Sequence, residues 1–401
     1  MKRIISLFLA LLLVVGLTAC GGNPISDESK EESKEESKEA TSTETSEQAS
    51  TADNKGLKIC IVSSSGVDDG SFTQSVYRGI QSFVKNHPDC SVTDVKEPDL
   101  SKLIGVVASV VGDYDVIVCP GFNLAAVGDI AKDNADKTFI VVDTKVTDSE
   151  GNPVEGLPNV YTMTFKEEEG GFLAGLAAAL VTKTGKVSEV NGIAFPSNVN
   201  YQFGFMAGVN YANKAYGTKA EFVEIPSYAG QAAVEVKGMG KNVGGNYVGD
   251  FADEATGKEV AKALINQGCD VLFPAAGASG NGVFTAVKEA DGVFAIGCDI
   301  DQYDDGANGD GNIILTSALK VMDKNVEKQL NALYDGTFEG KDELLGADSD
   351  SIGYVKEEGR HQLPDDVIQK IDETFAKMKA GDIVPPSNFN GYLPDDFPGL
   401  K

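Results

Sequence analysis

From Lys58 onward, short β-branched apolar runs alternate with longer stretches in which apolar residues recur every three or four positions. No other feature of the chain restricts its fold as much. The runs "KICIVS", "YDVIVCP", "KTFIVVD", "NVYTMTF", "VNGIAF", "AEFVEI", "CDVLFPA" and "GVFAIGCD" read as strands. Between them, "SFTQSVYRGIQSFVKN", "NLAAVGDIAKDNA", "EEGGFLAGLAAALVTK", "VNYQFGFMAGVNYANKA", "EATGKEVAKALINQ" and "NGVFTAVKEA" read as helices. This alternation marks parallel sheets sandwiched between helices, so the fold class is α/β. In such sheets a ligand sits beyond the carboxyl ends of the strands, where loops run into helix N-termini. The loops at those ends are polar and carry glycine: "SSSGVDDGS", "CPGFN", "DTKVTDSEGNP", "FPSNVNY", "PAAGASGNG" and "CDIDQYDDGANGDG". So many of them imply a cleft between lobes, and the chain from about Leu57 to Lys401 is long enough for two cores of ordinary size.

What precedes Leu57 has a different character. Lys2 and Arg3 lead into "IISLFLALLLVVGL", and "LTAC" ends at Cys20 before Gly21 and Gly22, the pattern of a signal peptide over 1–19 closed by a lipobox cysteine. Acylation of Cys20 would anchor the mature protein to the cell membrane of a bacterium, outside the cytoplasm. Residues 20–56 contain "ESKEESKEESKE" and no aromatic residue, too little apolar surface to offset the entropy of folding. They are expected to form an acidic leash with a reach on the order of 30 to 35 Å.

With 61 acidic against 34 basic residues, the formal net charge is -27. A surface that binds phosphates needs clustered Lys and Arg, so nucleic acid is not an expected partner, and broad contact with anionic lipid is disfavoured. Apart from Cys20 there are five cysteines, Cys60, Cys90, Cys119, Cys269 and Cys298, without C-x-x-C or Cys/His spacing. Cys60, Cys119 and Cys298 fall in or at the end of strand-like runs, and all five are expected to be reduced, structural thiols.

Few motifs point to chemistry. "PAAGASGNGVF" is Gly-rich between a strand and a helix, but it lacks the Lys-Ser/Thr pair of a P-loop and the G-x-G-x-x-G order of a dinucleotide site. Its glycines suit close approach of backbone amides to an uncharged polar ligand. His87 and His361 belong to no triad or H-E-x-x-H pattern, and the Asp304 to Asp310 cluster lacks the order of a calcium loop. No metal or cofactor is therefore expected. In the first loop, Ser71 followed by Gln74 reads as a capping box, with Gly66 and Gly70 as turn residues. Phe72, in the first helical turn at a cleft mouth, is placed either to stack on a planar ligand or to pack on the neighbouring lobe.

These residues, taken in order, resemble the basic membrane protein family of substrate-binding lipoproteins for ABC transporters, which includes purine-nucleoside receptors. "GVDDGSFTQ" is similar to the family's I-D-D-K-S-F-N-Q, "YDVIVCPGF" and "FIVVD" to its D-V-I-x-x-x-G-F and following strand, and "TFKEEEGGFLAGLAAAL" to F-x-x-x-E-G-S-F-L-A-G. "FGFMAGV" resembles its G-F-x-A-G-V helix; "GCDVLFPAAGASGNGVFTAVKE", "GVFAIGCDIDQ" and "ILTSALK" complete the series. The resemblance spans nearly all of the chain beyond the leash.

The resemblance implies a type I periplasmic-binding-protein-like fold: two lobes, each a parallel sheet flanked by helices, joined by three crossovers. The first lobe would comprise 57–165 with 298–340, the second 166–297 with 341–401. It further implies a monomeric receptor that encloses a nucleoside, a purine one foremost, and delivers it to an ABC permease without catalysis. Carried onto this chain, Phe72 and Tyr201, with Phe203 a nearby alternative, would sandwich the base. Asp143 and Asp299 would accept from ribose hydroxyls, while Lys320 and the Gly277 backbone would meet the remaining polar edge. Ser64 stands where the family has an Asp, in a loop one residue shorter, and Thr73 stands for its Asn. A hydroxyl accepts less strongly than a carboxylate and can also donate, so the class of ligand is better indicated than the ligand. A sugar or small-signal receptor of the same fold, or a nucleoside-processing enzyme, are the alternatives.

Overall fold

A computed structural model describes residues 56–401 of the chain. Cys20, the expected signal peptide and the leash up to residue 55 lie outside the described residues.

Sixteen strands and nine helices are defined among the described residues. The strands are β1 (Lys58–Ser63), β2 (Ser91–Lys96), β3 (Val116–Pro120), β4 (Thr138–Val142), β5 (Val160–Phe165), β6 (Lys186–Asn191), β7 (Glu221–Phe222), β8 (Gly230–Val236), β9 (Gly240–Gly244), β10 (Val271–Ala275), β11 (Phe294–Asp299), β12 (Ala307–Asn308), β13 (Gly311–Asn312), β14 (Ile314–Lys320), β15 (Asp342–Leu345) and β16 (Ile352–Tyr354). The helices are α1 (Phe72–Asn86), α2 (Leu103–Val110), α3 (Gly128–Asp133), α4 (Glu167–Val181), α5 (Pro196–Tyr216), α6 (Glu254–Asn266), α7 (Ser279–Lys288), α8 (Met322–Tyr334) and α9 (Asp365–Lys379).

Two six-stranded sheets result, in the orders β15-β5-β4-β3-β1-β2 and β16-β14-β11-β10-β6-β7. Every pairing within them is parallel except β14 with β16. The period of two along each strand divides the first lobe's core. Ile59 and Ile61 face Val76, Ile80 and Phe83 of α1 and Met322 and Val326 of α8. Cys60 and Val62 face Leu103 and Val107 of α2 on the other side. The second sheet is likewise covered by α4, α5 and α9 on one face and by α6 and α7 on the other. All five described cysteines are buried and unpaired, and burial raises the Cys60 thiol to about 11 and the Cys269 thiol to about 12.

The chain passes between the lobes three times, at 165–167, 320–322 and 345–352. The expected boundaries need correcting at two of them. Residues 298–320 belong with the second lobe, because β14 pairs with β11 there, and 342–345 belongs with the first, because β15 extends β5. A strand buried on both faces, such as "ILTSALK", is compatible with either sheet, and only its partner decides. The expected strand "VNGIAF" also moves: β6 occupies Lys186–Asn191, and the residues after Asn191 form the loop into α5. Ser188, Glu189 and Asn191 are buried in β6, so polarity hid a core strand. "NLAAVGDIAKDNA" is a 3-10 segment, Phe122–Val127, followed by the short α3.

Helices α4 and α5 cross at glycine. A Cβ on Gly175 would collide with the Phe205 carbonyl oxygen, and one on Gly208 with the Phe172 carbonyl oxygen, so the backbones meet where a side chain has no room. Gly175→Ala is expected to destabilise the fold by about 1–3 kcal/mol through overpacking. A urea midpoint equal to that of the parent protein would contradict this close approach.

Candidate functional site

The first lobe contributes the loop after β1. Asp69, not Ser71, caps α1: its Oδ1 accepts from the Ser71 and Gln74 amides at 3.1 and 3.0 Å, and its Oδ2 from the Thr73 amide at 2.9 Å and the Ser65 hydroxyl at 3.1 Å. The expected Ser71/Gln74 capping box does not form, because a carboxylate two residues upstream meets the same orphan amides more strongly. Ser71 is thereby released to the other lobe, where its hydroxyl donates to Asp299 Oδ2 at 2.9 Å. Gln302 of the second lobe donates from Nε2 to the Gly70 carbonyl at 3.0 Å, so the segment leading into α1 is fastened across the cleft.

Asp299 ends β11 with φ 69°, and Asp143, which follows β4, has φ 67°. Positive φ is unfavourable for a residue with a Cβ, and Asp tolerates it better than most. The Ile300 amide donates to the Cys298 carbonyl at 2.8 Å, closing a tight three-residue turn around Asp299. That turn aims the carboxylate into the cleft, where Tyr201 donates its hydroxyl to Oδ1 at 3.0 Å. Two of the three described non-glycine residues with positive φ are these carboxylates, the kind of strain found where a side chain must point at a ligand.

Lys320, the last residue of β14, is buried at the second crossover. Its Nζ donates to both oxygens of Asp143, at 2.8 and 2.6 Å, and lies 3.5 Å from Glu167 Oε1, whose other oxygen accepts from Asn200 Nδ2 at 3.0 Å. The ammonium stands 5.0 Å from the Phe72 ring centre, 5.4 Å from that of Phe165 and 5.7 Å from that of Tyr201. Burial alone would lower its pKa, but Asp143, Glu167 and Asp299 outweigh that and hold the ammonium charged.

Of these groups, Asp69, Phe72, Asp143, Tyr201, Asp299 and Lys320 line one cavity, which counting its open mouth holds about 660 Å³ of empty space. All eight residues singled out from the sequence reach its wall: Ser64, Phe72, Thr73, Asp143, Tyr201, Gly277, Asp299 and Lys320. Phe203, the alternative to Tyr201, does not; it is buried with Val236 and Val243 under the β8–β9 hairpin. Sequence reasoning missed Phe122, Phe195 and Phe251, whose rings run together along the wall with centroid separations of 5.0 and 5.9 Å. It also missed Asn123, whose Oδ1 is buried without a partner, and Asn198. Phe122, Asn123, Phe195 and Asn198 sit inside strand-end loops already quoted, whereas Phe251 follows a hairpin that the sequence pattern does not reveal.

Neither histidine reaches this cavity. His87 bonds Asn331 at 3.0 Å between α1 and α8, and His361 Nδ1 accepts from the Leu363 amide. Among the described residues no group of three or more His, Cys, Asp or Glu is placed to hold a metal ion. The wall offers carboxylates, one ammonium, neutral amides, hydroxyls and aromatic faces.

The family described as ABC transporter substrate-binding protein PnrA-like matches residues 57–227 and 231–388. Over 408 residues, 96% of this chain and 99% of its relative, the sequence is 31% identical to the CD4+ T-cell-stimulating antigen of Listeria monocytogenes. It is 30% identical over 302 residues to the ABC transporter nucleoside-binding protein BmpA of Lactococcus lactis subsp. cremoris, covering 71% of this chain and 77% of that one. An ABC transporter solute-binding protein from Aeropyrum pernix shares the fold with a TM-score of 0.68 at 24% identity, over 82% of this chain and 94% of that one.

Glu167 gives the site a pH signature. Burial raises its carboxyl to about 7, with Lys320 pulling it down and Asp143 pushing it up. Between its ordinary value of 4.5 and about 7, the folded chain holds a proton that the unfolded chain has released. The resulting stabilisation is complete below that window and is lost as pH rises through it. Glu167→Gln is expected to remove this slope, a difference on the order of 3 kcal/mol across the window. Urea titrations on both sides of it test this, and parallel pH dependences for the two proteins would refute it.

Proposed function

The chain belongs to the PnrA-like family of ABC transporter substrate-binding proteins, and from that membership we propose that its cavity captures a nucleoside, a purine nucleoside foremost, for delivery to an ABC permease. It is a binding protein rather than an enzyme. The arrangement that carries the nucleoside reading is the pair of strand-end carboxylates, Asp143 and Asp299, set beside Phe72 and the ammonium of Lys320. A ribose has vicinal hydroxyls for the carboxylates, and a base has a π-face for the ring. The relative from Lactococcus lactis, named as nucleoside-binding, supports the same choice.

In this reading the base stacks on Phe72 from the first lobe. The facing ring is Phe251, which lines the cavity partly buried, while Tyr201 is buried edge-on against Phe273 and holds Asp299 by its hydroxyl. Asp143, Asp299 and Lys320 meet the ribose, and Ser64, Thr73 and the Gly277 backbone meet remaining polar edges. Stacking contributes about 0.5 to 1.5 kcal/mol beyond area burial, and hydrogen bonds to charged groups about 1.5 to 3 each. Cys20, in this proposal, carries the lipid that keeps the receptor near its permease.

Calorimetry of the purified protein with adenosine, guanosine, inosine and free sugars tests the ligand class. Nucleosides are expected to bind without release of free base, with a loss of roughly tenfold or more for Asp299→Asn and for Phe72→Ala. Binding of sugars but not nucleosides would replace this reading with that of a sugar receptor. For the anchor, Cys20→Ser is expected to move the protein from the detergent phase to the aqueous phase; unchanged partitioning would remove the lipid from the proposal.

A further inference from the structure

We propose that Glu189 is a positioning residue for ligand selectivity: through Asn191 it orients the Asn198 amide so that its oxygen faces the cavity and reads a hydrogen-bond donor on the bound base. The inference rests on the reading of this cavity as a nucleoside site.

Glu189 lies in the middle of β6, opposite Phe273 of β10, and is fully buried. Its Oε1 accepts from Asn191 Nδ2 at 2.5 Å, while its Oε2 has no partner among the described residues. The polar groups around it are committed to one another. Gln202 donates from Nε2 to the Val243 carbonyl, Tyr247 donates its hydroxyl to Gln202 Oε1, and Asn246 donates to Ser188 Oγ and the Val223 carbonyl. No salt bridge reaches Glu189 among the described residues, and burial, reinforced by Glu224 and only partly countered by Asn191, pushes its carboxyl well above the ordinary range. A buried polar atom left unpaired is costly, so an acid kept in the middle of a core strand calls for a role that an apolar side chain could not fill.

The hydrogen bonds supply that role. The two ends of an amide have nearly the same shape, and only their partners decide which end points where. With Glu189 accepting, Asn191 must turn its nitrogen toward β6 and its oxygen toward α5. Asn198 Nδ2 then donates to Asn191 Oδ1 at 3.2 Å and to the Ala275 carbonyl at 2.7 Å. Both amide protons are thus held inside the lobe, and Oδ1 is what Asn198 can present to the cavity, beside Phe195 and Ser197. None of the sequence patterns that located the cleft includes Glu189.

The test compares inosine, whose base carries an N–H, with purine riboside, whose base carries none. The parent protein is expected to prefer inosine by roughly tenfold, the worth of one hydrogen bond to the Asn198 oxygen. Glu189→Leu, which offers Asn191 no acceptor and leaves only the Ala275 carbonyl to hold the Asn198 amide, should lower that ratio severalfold, and Glu189→Gln, which keeps an amide oxygen there, should restore it. Equal ratios in the two variants, or no preference in the parent protein, would overturn the proposal. Hydrogen exchange of the Asn198 side-chain amide in the parent protein gives a readout that needs neither ligand nor variant. Both protons should be protected, and fast exchange of either would overturn the relay even if Glu189→Leu fails to fold. If no nucleoside binds while both protons are protected, the relay stands and the nucleoside reading falls.

Discussion

The ammonium of Lys320, buried with Asp143 and Glu167 where the chain passes between lobes, is the interaction on which the rest of the molecule depends. Removing three ionisable groups from water is expensive, and the arrangement is tolerable only while each has its partner. The partners come from different places: Asp143 follows β4 of the first lobe, Glu167 begins α4 just past the first crossover, and Lys320 ends β14 at the second. The third crossover joins the same knot, since Glu169 accepts from the Ala347 amide at 2.6 Å and Lys166 reaches Asp348. The "EEE" at the start of α4 therefore ties all three passages together. Asp143 belongs to the first lobe and Lys320 ends a strand of the second, so this charge cluster sits at the passage that joins them.

The local backbone and the charge cluster are matched. Parallel strands in both sheets end facing the cleft, and a carboxylate placed at such an end with ordinary dihedrals would follow the strand's pleat. The positive φ at Asp143 and Asp299 breaks that pleat and turns both side chains inward. Each then meets donors that hold it: Lys320 for Asp143, Ser71 and Tyr201 for Asp299. Strain in the backbone is offset by charge-assisted hydrogen bonds, and the aim of the carboxylate is the product of both.

What could be read from the sequence follows from which interactions are local. The passage from an apolar run through a polar, glycine-bearing loop into a helix is written in consecutive residues, and it located the strand-end loops and Phe72 at one end of the sheets; Ser64, Asp143, Gly277 and Asp299 within those loops were singled out by the family resemblance. Whether β14 joins the first or second sheet depends on a partner strand distant in the chain, so the lobe boundaries near 298 and 341 were misplaced. Ser71 looked like the cap because its spacing to Gln74 is the familiar one, but Asp69 competes for the same amides with a full charge. The strand β6 was placed four residues late because Ser188 and Glu189 are core residues with polar side chains, and polarity is what a pattern reader takes for surface. Phe251 enters the wall after the β8–β9 hairpin, a route that no period or motif announces.

Ser71 shows how a local substitution of roles shapes the whole site. Because Asp69 meets the helix amides, the Ser71 hydroxyl is available to cross the cleft, and it donates to the same carboxylate that Tyr201 holds from the second lobe. Asp299 thus receives one donor from each lobe, one on each oxygen. A carboxylate has about four lone-pair directions, so two remain for a guest after both lobes have been served. Had Ser71 capped α1, Asp299 would lack its tie to the first lobe, and closure would rest on Lys320 and the Gln302–Gly70 contact. The carboxylate at the rim is therefore at once a junction between lobes and an acceptor with capacity left over, which is what a cleft needs if filling it and closing it are to be the same event.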